Sequence, residues 1–256
     1  MDNERFNKKL VPVYGLIGVL ALIIVKVYNT SFKGGKFTCD KYILNTYLYI
    51  LLSLLLMSLQ NIVMEQQHIG LEDIFGRFKG FIGLIIILVL VIGLMFILLQ
   101  TNPRNVVLKH TIWLAFIFVL GLLAYPSYLK TIKENTVIAT LMTTIGILIT
   151  FTIVAFLKPE WISLSWGPTL VFLLISGMIG ELCFYLFNKN EKQQPKNKMF
   201  AYFFIALFTI FILYDTKKIQ VNAKICKEST VDYINESLNI VLDVLNLFQK
   251  IAEVQK

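Results

Sequence analysis

Charge is scarce in this chain: only 16% of its 256 residues are Asp, Glu, Lys or Arg, where a soluble domain carries about 25%. Histidine occurs twice, as His68 and His110, and neither belongs to a His-Glu-x-x-His zinc helix. His110 borders an apolar run and is expected to cap or pack. No Gly-x-Ser-x-Gly nucleophile turn is present. The three cysteines, Cys39, Cys183 and Cys226, form no Cys-x-x-Cys pair, so neither a zinc site nor a disulfide framework is expected. The connections between apolar runs are short, leaving no room for a soluble domain. These absences exclude a cytosolic enzyme, a secreted disulfide scaffold and a disordered tail.

What is abundant is apolar sequence, 57% of the residues. About 20 apolar residues suffice to cross the ~30 Å hydrocarbon layer of a bilayer. Six runs do so plainly, at 10–28, 42–63, 80–99, 111–125, 136–157 and 164–187. A seventh covers 199–214 and an eighth, apolar on one side only, covers 232–251. The expected fold is therefore an all-α polytopic bundle. Its first span, with Arg5, Lys8 and Lys9 ahead of it, is expected to be an uncleaved anchor, because no small-residue cleavage site follows.

The net charge of +8 comes from Lys and Arg lying between apolar runs. They are topology signals and headgroup contacts, not a nucleic-acid surface. With eight spans, 13 of them fall on the side of the termini and 11 on the other, which favours cytosolic termini. Pro126 and Pro168 are expected at span ends, where a missing N–H is tolerated. Gly177 and Gly180, with Ser176, allow close helix approach. Thr136, Thr140, Thr143 and Thr144 are expected to bond helix carbonyls.

An ionisable residue within a span is costly, by about 2.5–3.5 kcal/mol on insertion scales, so each is a functional candidate. Glu181, Asp215 and Asp243 qualify. On the last helix, at about 100° per residue, Asp232, Glu236, Asn239, Asp243, Asn246 and Lys250 fall within about 40° of one line. A helix lying flat on the bilayer favours Lys and Arg on its polar face. This stripe is mostly acidic, so it is expected to face the bundle interior.

Ser229 and Asp232 have the Ser-x-x-Asp form of a helix start. If the last two helices turn near Ser229, Asp215 lies 14 residues before the turn and Asp243 14 after it. Each is then about 21 Å from the turn, at one depth, provided the seventh helix continues through Lys217 and Lys218. Two facing carboxyls in a low-dielectric bundle share a proton. Protonated, they latch the helices; ionised, they repel or take up a cation, and oxygen-rich sites suit Ca²⁺. No tightly bound cofactor is needed, only Ca²⁺ as a transported or transiently bound ion.

At these residues the chain resembles the Bax inhibitor family, the transmembrane Bax inhibitor motif proteins. The resemblance rests on Phe211-Ile212-Leu213-Tyr214-Asp215-Thr216, on Asp232-Tyr233-Ile234 and on Leu242-Asp243-Val244-Leu245-Asn246-Leu247-Phe248. Leu120-Gly121-Leu122, Tyr125-Pro126-Ser127 and the Thr-rich span ending at Phe156 follow the pattern less specifically. The similarity covers about 42–251, so residues 42–256 form the expected seven-helix domain and 1–41 an added tail, span and loop.

The resemblance implies a pH-sensitive Ca²⁺ leak in the endoplasmic reticulum or Golgi membrane of a eukaryotic or virus-encoded system, suppressing apoptosis. The family's paired aspartates fall on Asp215 and Asp243. Its basic partner has no secure counterpart; Arg77 is a candidate supporting residue, as is Glu181, which the motif does not contain. The expected partners are the bilayer, Ca²⁺, protons and other membrane proteins of cell-death pathways. The rival reading is a scaffold that transports nothing and binds such proteins. An intramembrane aspartyl protease also pairs two aspartates, but Val241-Leu242 cannot replace the Gly-x-Gly that precedes its second one. An enzyme is therefore not expected.

Overall fold

Inside a bilayer every backbone N–H and C=O must be satisfied within the protein, so long apolar runs become helices. The computed structural model describes residues 2–75, 81–187, 198–227 and 231–255. Helix α1 (Asp2–Ser31) leads through strands β1 (Phe32–Lys33) and β2 (Lys36–Phe37) to α2 (Tyr42–Gln66) and the short α3 (Leu71–Phe75). Then come α4 (Phe81–Gln100), α5 (Val106–Lys133) and α6 (Val137–Leu157). Two 3-10 turns, Pro159–Trp161 and Leu164–Trp166, precede α7 (Gly167–Phe187), α8 (Lys198–Lys224) and α9 (Tyr233–Val254). The all-α bundle is the class expected from hydropathy. Among the described residues, six helical stretches are long and apolar enough to cross a membrane, and the chain is a multi-pass integral membrane protein.

The chain forms two compact units. The first comprises Met1–Pro126 with Ile225–Leu238, the second Ser127–Lys224 with Asn239–Lys256.

In the first unit α1 packs along α2, and a β-hairpin joins them. Its turn residues Gly34 and Gly35 have φ of +59° and +74°, the left-handed pair that a two-residue hairpin turn demands. The buried amide of Asn45 holds the end of α1. Its Nδ2 donates to the carbonyls of Thr30 and Asp40 at 3.0 Å each, and its Oδ1 accepts from the Thr30 hydroxyl at 2.7 Å. Below the hairpin lies a cluster of rings. Phe37 meets Tyr233 edge-on with centroids 5.1 Å apart, and Tyr49 meets Trp113 edge-on at 5.7 Å, the geometry that ring quadrupoles favour.

One expectation fails here. Cys39 and Cys226 form a disulfide, with their Cα atoms 5.9 Å apart. Local spacing could not reveal it, because the fold brings together two loops separated by 187 residues.

In the second unit α8 packs against α6 and α7. Glycine permits the approach of α7: a Cβ on Gly177 would sit 2.6 Å from Phe203 Cε1, and one on Gly180 3.2 Å from Phe200 Cε1. The hydroxyls of Thr140, Thr143 and Thr144 bond the carbonyls four residues back at 2.8–2.9 Å. Gln220 donates to the Ala155 carbonyl at 2.9 Å. Lys130 and Lys198 donate to the carbonyls of Ala252 and Val254, in the last turn of α9, as basic side chains do at helix C-termini.

Pro126 also departs from expectation, lying inside α5 and not at its end. A proline removes the hydrogen bond to the carbonyl four residues earlier, here that of Leu122. Pro126 is exposed, and the helix runs on past it to Lys133. Its 28 residues are about 42 Å long, well beyond the expected 111–125. Pro168, by contrast, is the second residue of α7.

Candidate functional site

The site is assembled from α8 and α9 within the second unit. Helix α8 runs uninterrupted through Lys217 and Lys218 to Lys224, which is the continuation that a common depth for Asp215 and Asp243 requires. Both aspartates are buried, 6% and 7% exposed, and their carboxyls are hydrogen-bonded to each other. One turn earlier on α9, Asn239 Nδ2 donates to Asp215 Oδ1 at 3.3 Å. Asp243 Oδ2 is buried with no hydrogen-bond partner among the described residues.

Two buried carboxyls in contact cannot both ionise at low cost. Ca²⁺ takes 6–8 oxygens, more than two carboxylates and one amide supply. Among the described residues no group of three or more His, Cys, Asp or Glu surrounds a common point.

The other members of the stripe have separate partners. In the second unit, Asn246 donates to the Leu242 carbonyl of its own helix at 2.9 Å. Lys250 pairs with Glu181 at 2.7 Å and lies 4.9 Å from the centre of the Phe204 ring. The pair explains how Glu181 is accommodated on apolar α7, and its ion pair is with Lys250, not with either aspartate. In the first unit, Glu236 accepts from the Tyr42 hydroxyl at 3.1 Å. Asp232 pairs with Lys109 at 2.7 Å and its Oδ1 caps α9 by accepting the Asn235 N–H at 3.0 Å. Arg77 and Ser229 lie outside the described residues.

Lys109 is the important residue that sequence reasoning did not single out. It is fully buried, and its ammonium also donates to the carbonyls of Leu98 and Thr101 and to Asn235 Oδ1, at 2.6, 3.2 and 2.8 Å. In sequence it was one more lysine beside a span. The available signal was Asp232 itself, an acid opening a buried helix and requiring a cation. His110 packs as expected: Nε2 meets the Tyr49 hydroxyl and Nδ1 the Val106 carbonyl, both at 2.7 Å.

The family described as Inhibitor of apoptosis-promoting Bax1 matches residues 39–254. No curated protein and no solved structure matches the chain. The matched range contains both aspartates and begins after α1 and the hairpin.

Proposed function

Because the chain belongs to the Bax inhibitor family of anti-apoptotic membrane proteins, we propose that it is a pH-sensitive Ca²⁺ leak of an intracellular membrane, gated by Asp215 and Asp243. The observation that carries this reading is the direct contact of those two buried carboxyls. With a proton between them they tie α8 to α9 and offer no charge to a divalent ion. Without it they repel each other, the helices part, and the freed oxygens attract Ca²⁺. Flux is therefore low in acid and rises with pH.

The test is Ca²⁺ flux into liposomes that contain only the purified protein. Wild type passes Ca²⁺ at a rate that increases as pH rises. Asp215→Asn and Asp243→Asn each lower the rate at least tenfold and flatten its pH dependence, because an amide neither shares the proton nor carries the charge. Wild-type liposomes as tight as empty ones at every pH would overturn the leak and favour the scaffold that acts by binding other membrane proteins.

A further inference from the structure

The first unit holds a cavity of about 690 Å³ between α1, α2, α5 and the hairpin, within the ~300–1,000 Å³ of small-molecule sites. One end is buried and apolar, walled by Val27, Leu52 and Trp113. The other reaches the exposed residues Tyr28, Asn29, Gly34 and Gly35. Of the polar groups deep in the wall, the Tyr49 hydroxyl and both ring nitrogens of His110 are hydrogen-bonded within the protein, while the buried Trp113 Nε1 has no hydrogen-bond partner among the described residues. The interior thus suits an apolar body, and polar recognition falls to the hairpin end.

That end is basic. Lys33 and Lys36 face each other across the hairpin on either side of Gly34 and Gly35, and both are exposed. Between residues 26 and 41 the chain carries Lys26, Lys33, Lys36 and Lys41 against the single acid Asp40. An apolar chamber opening beside paired lysines, at the end of a membrane helix, has the charge and shape complement of a lipid with a negative head.

We propose that this cavity binds an anionic amphiphile, its acyl chain between α1, α2 and α5 and its charged head at Lys33 and Lys36. The site depends on α1 and the hairpin, which precede the matched range 39–254, and is independent of the aspartate pair. A free fatty carboxylate and a phosphate-headed lipid share the chemistry.

Trp113 reports on occupancy. In a Trp161→Phe/Trp166→Phe background it is the sole tryptophan, and bromine atoms on a bound chain quench it by contact. Brominated oleate, brominated phosphatidic acid and brominated phosphatidylcholine are titrated separately against the purified protein. Saturable quenching by one or both anionic probes, at concentrations at least tenfold below the neutral lipid, supports the site and identifies which head it takes. Lys33→Gln/Lys36→Gln raises the anionic half-saturation about tenfold, and Leu56→Phe, which fills the chamber, does so for every probe. Equal quenching by charged and neutral lipids, unaffected by the lysine substitutions, overturns the proposal whether or not Leu56→Phe folds.

Discussion

Replacing Lys109 with methionine is expected to lower stability by about 3–5 kcal/mol, the range for removing one partner of a buried ion pair. Methionine fills similar volume but leaves the Asp232 carboxylate, 12% exposed, without its cation. The carbonyls of Leu98 and Thr101 and the side-chain oxygen of Asn235 lose the same donor. Arginine is no substitute, since a planar fork cannot occupy the place of a compact ammonium. Lys109→Met/Asp232→Leu should recover most of the loss, because no charge is then stranded. About 1 kcal/mol stays missing, since Asp232 also caps α9. Thermal unfolding in detergent checks both values. A double variant no more stable than the single one would show that the pair is not the source.

Opening the Cys39–Cys226 disulfide should cost about 2 kcal/mol, the lower part of the usual 2–4. The 187 intervening residues form a long loop, but the bilayer already restrains the helices within it, so less entropy remains for the bond to remove. Cys226→Ser and reductant should lower the unfolding temperature equally. The bond also bears on sidedness. Because Cys39 and Cys226 are bonded to each other, both lie on one face of the membrane. Disulfides persist on the oxidising face, which places the hairpin there and the amino-terminal end of α1 in the cytosol, in agreement with the 13 to 11 distribution of basic residues. In sealed vesicles carrying the Cys183→Ser variant, which removes the exposed free cysteine of α7, an impermeant maleimide should reach Cys39 and Cys226 only from the luminal or external side, and only after reduction. Labelling from the cytosolic face without reduction would contradict the arrangement.

The helices were legible because run length is a local property that the bilayer turns directly into structure. The polar stripe of α9 was legible for a similar reason, since Asp232, Glu236, Asn239 and Asp243 recur at helical spacing. The family was legible because Tyr214-Asp215-Thr216 and Leu242-Asp243 are short and specific. Pairings across the chain were not. Lys109 meets Asn235 over a separation of 126 residues, Lys250 meets Glu181 over 69, and Cys39 finds Cys226 from still farther. Hydropathy assigns each of these side chains a cost but no partner. The far end of α5 was misplaced because proline predicts a break, whereas the helix gives up one hydrogen bond at Pro126 and continues to Lys133.

Asn45 gives the first helix a standing that its covalent link alone would not. Thr30 is gripped on both its hydroxyl and its carbonyl, and Val13, Leu20, Ile23 and Val27 are buried along the same helix. The segment is seated, not merely leashed. A protease nick at the Gly34–Gly35 turn would sever the chain without releasing α1, and the two fragments would stay docked through one amide and a row of apolar side chains.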